Sequence, residues 1–124
     1  MSKLRIVVAD NDPAVLELVT TDLTLEDHVV VATAVSGEDA IERCRELRPD
    51  VLVVDYRMPP GLDGLETIRL VRAQVPETLC ILYTNYRSTG IADEARQMGA
   101  LYVKKGPLRA LRAALSVRQE PAAS

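Results

Sequence analysis

Val51-Leu52-Val53-Val54-Asp55, running directly into the turn-rich stretch Tyr56-Arg57-Met58-Pro59-Pro60-Gly61-Leu62-Asp63-Gly64, is the passage on which the fold turns. A short run of β-branched and aliphatic residues reads as a strand buried on both faces, as in a parallel sheet covered by helices on either side. An ionised carboxylate inside such a sheet is costly unless it is paired. At the strand's carboxyl end Asp55 reaches solvent instead, and in an open α/β sheet that edge is where ligands bind. A second acidic cluster, Asp10-Asn11-Asp12, ends another apolar run, Ile6-Val7-Val8-Ala9. Two acidic strand ends in one small sheet imply a shared cation site.

Outward from this passage, strand-like and helix-like segments alternate. Arg5–Ala9, Val29–Ala34, Val51–Val54, Leu79–Tyr83 and Leu101–Val103 read as strands. Asp12 is placed to cap the first helix with Pro13 at its first position, and Val15, Leu18, Val19 and Leu23 recur at helical spacing. Ser36 with Asp39 resembles a capping box ahead of the stripe Ala40, Ile41, Cys44 and Leu47. Leu65, Ile68, Val71 and Val75 mark a third helix closed by Pro76; Ile91, Ala95 and Met98 mark a fourth, with Gly99 at its end. Leu108, Leu111 and Leu115 mark the fifth. Five β/α units with short loops predict an α/β fold, a doubly wound five-stranded parallel sheet of order 2-1-3-4-5, flavodoxin-like, with right-handed crossovers.

The 124 residues suffice for one domain, expected over 1–118, with Gln119–Ser124 as a polar tail or the start of a linker. A net charge of −3 provides no basic excess with which to hold nucleic acid. No apolar stretch has the length of a membrane span, and the early apolar run is broken by Asp10 with no cleavage site after it, so neither membrane nor signal peptide is expected. Cys44 and Cys80 form no CxxC pair; both fall in apolar patterns and read as buried free thiols of a cytoplasmic protein.

In the 2-1-3-4-5 order the first and third strands are neighbours, so Asp10 and Asp55 share one edge. Their mutual repulsion calls for a divalent cation, and an all-oxygen site of few protein ligands suits Mg²⁺. Thr84 ends the fourth strand at that edge with a hydroxyl, and Lys105 follows the fifth with an ammonium. Acids, a cation position, a hydroxyl and an ammonium together suit phosphoryl transfer to a carboxylate.

Asp10-Asn11, Asp55, Met58-Pro59 with Asp63-Gly64, Thr84, Gly99-Ala100 and Tyr102-Val103-Lys104-Lys105, in this order and spacing, resemble the receiver domain of bacterial two-component response regulators over roughly residues 3–118. The resemblance implies that Asp55 is the phosphoacceptor, served by a phosphohistidine of a sensor histidine kinase or phosphotransfer protein. It implies that Asp10, Asn11, Asp55 and the backbone carbonyl of Arg57 hold Mg²⁺, and that Thr84 and Lys105 contact the phosphoryl group. Tyr102 is then the switch aromatic, Arg57 and Tyr86 tune rates, and the face of the fourth helix, fifth strand and fifth helix controls an output domain or downstream protein. On this reading the domain promotes only its own phosphorylation and dephosphorylation.

The chain departs from the family pattern in several places. Asn11 stands where a second acid is usual, which predicts weaker Mg²⁺ binding. Pro60-Gly61 lengthens the loop after Asp55 by one residue, while the stretch from Gly99 to Tyr102 is one residue short. Lys105 keeps the usual spacing from Tyr102 and is preferred over Lys104. Asn85 stands where Ala or Gly is usual, and Asn85 and Tyr86 together restrict the mouth of the site. Two other readings remain at this stage: a degenerate receiver that binds a partner unphosphorylated, and a small phosphatase resembling the haloacid-dehalogenase type, through Asp10-x-Asp12. His28 reads as a solvated residue entering the second strand. Arg109, Arg112 and Arg118 read as a solvated face or as ion pairs across a homodimer interface.

Overall fold

The computed structural model describes residues 3–119. Its elements are β1 (Arg5–Ala9), α1 (Pro13–Leu25), β2 (Val29–Ala34), α2 (Gly37–Leu47), β3 (Val51–Val54), α3 (Gly64–Gln74), β4 (Leu79–Thr84), α4 (Thr89–Gln97), β5 (Leu101–Lys104) and α5 (Leu108–Gln119). All strand pairs are parallel and the order is β2-β1-β3-β4-β5, so β1 and β3 are neighbours as expected. Among the described residues, no helix is long and apolar enough to cross a membrane.

The strands' period of two divides the core into halves. Val7, Ala9, Leu52, Val54, Cys80 and Leu82 pack under α2, α3 and α4, against Ile41, Cys44, Leu65, Ile68, Val71 and Ala95. Ile6, Val8, Val51, Val53, Ile81 and Tyr83 pack under α1 and α5, against Val19, Leu23, Leu111 and Leu115. β3 is buried along its whole length, which is why it carries no polar residue before Asp55. Each such fully buried aliphatic side chain stabilises the fold by about 1.5–3 kcal/mol. Cys44 and Cys80 are free and buried in the first half, and burial pushes both thiols up to about 12.

Capping follows local chemistry. Asp12 accepts from the Ala14 N–H at 2.9 Å, and Ser36 Oγ accepts from the Asp39 N–H at 3.0 Å. The reciprocal capping box lies at α3, where Asp63 and Glu66 each accept the other's backbone N–H at 2.9 Å. Gly99 ends α4 at φ +80°, a conformation that favours glycine.

The structure corrects several expectations. β4 and β5 each run one residue further, through Thr84 and Lys104. Leu18 is 57% exposed rather than part of the buried stripe, because Val19 and Leu23 alone face the sheet squarely. His28 is buried, not solvated; its Nδ1 accepts the Leu4 N–H at 3.2 Å and so satisfies the main chain beside the start of β1. α5 continues to Gln119, one residue into the expected tail, and residues 120–124 lie outside the described residues.

Candidate functional site

The backbone ladder carries past the strand ends and sets the site. Asp10 N–H donates to the Ala34 carbonyl at 3.0 Å, Asp55 N–H to Ala9 at 3.1 Å, and Lys105 N–H to Thr84 at 2.9 Å. Four strands thus deliver four side chains to one edge. Lys105 Nζ donates to Asp10 Oδ2 at 2.7 Å and to Asp55 Oδ2 at 3.0 Å. Side-chain exposure is only 13%, 3% and 12% for Lys105, Asp10 and Asp55, so this triad is largely out of water and its charges are weakly screened. The remaining oxygens accept main-chain donors: Asp10 Oδ1 from the Asp12 N–H at 2.9 Å, Asp55 Oδ1 from the Tyr56 N–H at 2.7 Å.

Burial pushes the Asp10 carboxyl above its ordinary value and the charge of Asp55 adds to this, against the opposing hydrogen bonds from Lys105 and the Asp12 N–H. Burial alone would depress Lys105, but its bonds and attraction to both carboxylates outweigh that and raise it. The two shifts have different causes: burial and the neighbouring carboxylate disfavour charge on Asp10, while the two carboxylates favour charge on Lys105.

The rest of the site surrounds Asp55. Thr84 is buried and its Oγ1 accepts the Tyr86 N–H at 3.1 Å. The Tyr86 carbonyl accepts from the Tyr102 hydroxyl at 3.1 Å. The Tyr86 ring lies 5.0 Å from that of Tyr56 and 4.3 Å from the Arg57 guanidinium carbon, so Arg57 lies over the ring in cation–π contact. A cleft of about 540 Å³ opens on one side of Asp55, lined by Asn11, Arg57, Met58 and Pro59 among others. One of about 320 Å³ opens on the other, lined by Arg57, Thr84, Asn85, Tyr86 and Lys105.

Asp10, Asn11, Asp55, Arg57, Thr84, Tyr86 and Lys105 therefore lie in or beside one region, and Tyr102 reaches it only through the Tyr86 carbonyl. Lys105 rather than Lys104 reaches the carboxylates, since Lys104 pairs in register with Thr84 and is exposed. Asp12 is spent on the helix cap and does not line the cleft. Among the described residues no group of three or more His, Cys, Asp or Glu converges. A cation at Asp10 and Asp55 would therefore also draw on amide, carbonyl and water oxygens, a donor set that fits Mg²⁺. Each carboxylate oxygen accepts one hydrogen bond and keeps a lone pair for such a ligand.

Sequence reasoning missed two features. A Cβ at Gly64 would strike the Asp55 carbonyl oxygen and lie 2.9 Å from Tyr56 Cα, so only glycine lets α3 start this close to Asp55. The second is Glu38 on α2, whose carboxylate oxygens accept the Leu62 N–H at 3.3 and 3.4 Å. The Asp63-x-x-Glu66 spacing signals where α3 starts; nothing local signals the role of Glu38.

The response regulator receiver domain model matches residues 6–116. The chain belongs to this family. The receiver is 37% identical over 99 residues to the probable transcriptional regulatory protein NarL of Mycobacterium tuberculosis, covering 79% of this chain and 45% of that protein. It is 31% identical over 98 residues to the transcriptional regulatory protein LnrK of Bacillus subtilis, covering 78% and 44%. The receiver thus spans less than half the length of these curated relatives. The solved signal receiver domain of the putative response regulator NarL from M. tuberculosis superposes with a TM-score of 0.86 at 30% identity, covering 98% of this chain and all of that one.

Proposed function

We propose that this receiver accepts a phosphoryl group on Asp55 from a phosphohistidine of a sensor histidine kinase or phosphotransfer protein. The observation that carries the reading is the buried Asp10–Lys105–Asp55 triad at the carboxyl ends of β1, β3 and β5. An Asp55 carboxylate oxygen attacks phosphorus, the P–N bond breaks, and the donor imidazole nitrogen keeps the electron pair. Lys105 neutralises charge on the transferred group. The Thr84 hydroxyl can donate to a phosphoryl oxygen while still accepting the Tyr86 N–H, since a hydroxyl does both. Asp10, Asn11, Asp55 and the Arg57 carbonyl would hold Mg²⁺, which offsets negative charge on the phosphoryl oxygens when bound.

A chain of hydrogen bonds runs from Thr84, which lines the smaller cleft with Asp55, through Tyr86 to Tyr102 on β5. On this reading Tyr102 is the switch aromatic, and the α4–β5–α5 face controls an output domain or downstream protein in the cytoplasm. Arg57 and Tyr86, stacked beside Asp55, tune how fast the acyl phosphate forms and hydrolyses. The test is chemical: incubation with Mg²⁺ and acetyl phosphate should give a hydroxylamine-sensitive acyl phosphate and no turnover of a generic aryl phosphate. Sustained aryl phosphate hydrolysis would instead support a phosphatase, and a chain that never takes up phosphate would be a degenerate receiver.

A further inference from the structure

The extra residue in the loop after Asp55 has a structural counterpart on α2. Glu38, in the first turn of that helix, places both carboxylate oxygens on the Leu62 N–H. The surfaces are in tight contact. A Cβ on Gly61 would strike both Glu38 oxygens and lie 2.7 Å from its carboxyl carbon, and one on Gly37 would strike Thr67 Oγ1 and lie 3.0 Å from Leu62 Cβ. The loop is anchored at its other end by Met58, which is 1% exposed. Between these anchors, Pro59, Pro60 and Gly61 line the larger cleft that faces Asp55 and Asn11.

We propose that Glu38 is a positioning residue: its carboxylate, held on the Leu62 amide, fixes the lengthened Pro59–Leu62 segment and so the wall of the cleft that faces Asp55. This rests on the phosphoacceptor reading of Asp55. A loop tied at both ends presents its carbonyls and cleft in one geometry rather than several. Arg57 immediately precedes the Met58 anchor.

Two substitutions release the clamp by different routes. Glu38→Ala deletes the carboxylate. Gly61→Ala leaves Glu38 and its charge at the start of α2 but evicts the carboxylate, a flexible side-chain end; Gly61 is not among the positive-φ glycines, so alanine suits its backbone. Glu38→Gln keeps an acceptor and serves as the rescue. Three quantities are read: amide hydrogen exchange at Leu62, Mg²⁺ affinity from a titration followed by Asn11 and Arg57 amide shifts, and the phosphorylation rate with acetyl phosphate. Both alanine variants should lose roughly fivefold or more of Leu62 protection and weaken Mg²⁺ binding severalfold, with the double variant no worse than either single one and Glu38→Gln close to wild type. Unchanged Leu62 exchange in both, or lost protection with Mg²⁺ affinity and rate intact, overturns the proposal. A wild-type chain that takes up neither Mg²⁺ nor phosphate would overturn the functional reading and with it this role, while Leu62 exchange would still report the clamp itself.

Discussion

Replacing Lys105 with methionine should leave a chain that folds less stably at neutral pH than in mild acid. The substitution keeps the length of the stem and removes the ammonium that bonds Asp10 Oδ2 at 2.7 Å and Asp55 Oδ2 at 3.0 Å. Two oxygens that share one donor at those distances lie within about 6 Å, and at an effective dielectric near 20 their repulsion is about 3 kcal/mol. That agrees with the loss of roughly 3–5 kcal/mol expected when a buried ion pair loses one partner. The sign with pH follows from the shifts. Lys105 is raised in the folded chain, so its contribution is complete below the ordinary ammonium value and is lost only as pH climbs through the raised one. Asp10 is raised by burial, so its contribution is complete below the ordinary carboxylate value and is lost as pH rises through its folded value. Without Lys105, two influences that lower Asp10 vanish and it climbs further. The deficit against wild type should therefore be about 3 kcal/mol near pH 7 and shrink towards pH 5, as a carboxyl takes up a proton. Urea unfolding of both chains across that range, without divalent cations, measures it. A deficit that is flat across the range, or below about 1 kcal/mol at pH 7, would refute the triad's electrostatic role.

Asn11→Asp should tighten Mg²⁺ binding by roughly tenfold, the order expected for one more carboxylate at ligand distance, and equal affinities in a titration would sink the assignment of Asn11 to the ligand set. Tyr86→Ala removes the ring between Arg57 and Tyr56 and widens the smaller cleft beside Asp55, so the acyl phosphate should hydrolyse severalfold faster; an unchanged decay rate would show that the ring shields nothing. His28→Leu keeps a side chain of similar volume but strands the Leu4 N–H, which should cost about 1–3 kcal/mol in urea unfolding, whereas a solvated histidine would cost nothing measurable.

Much of this was legible from the chain because strand burial and helix caps are local. Val51–Val54, apolar without a break, reads as an interior parallel strand, and Asp12-Pro13 reads as a helix start once β1 ends. The 2-1-3-4-5 order that these units imply sets Asp10 and Asp55 side by side. What the sequence did not reveal depends on which way a side chain turns. His28 looks solvated in a polar stretch, yet it faces Leu4 across two elements because the start of β1 needs an acceptor. Leu18 belongs to the apolar pattern of α1 but falls on its outer side. Glu38 resembles any acidic residue in a first helical turn; its contact with Leu62 arises only when α2 and α3 pack together. Spacing from Tyr102 favours Lys105 over Lys104, and the structure gives the reason: Lys104 ends β5 in register with Thr84, and Lys105, the next residue, sends its ammonium to Asp10 and Asp55.

The most direct measurement is intact mass after incubation with Mg²⁺ and acetyl phosphate, made on the wild type and on Asp55→Asn. If the triad is a phosphoacceptor site, the wild type gains a single phosphoryl group and Asp55→Asn gains none. A wild type that gains nothing, or an Asp55→Asn chain still labelled, would contradict it.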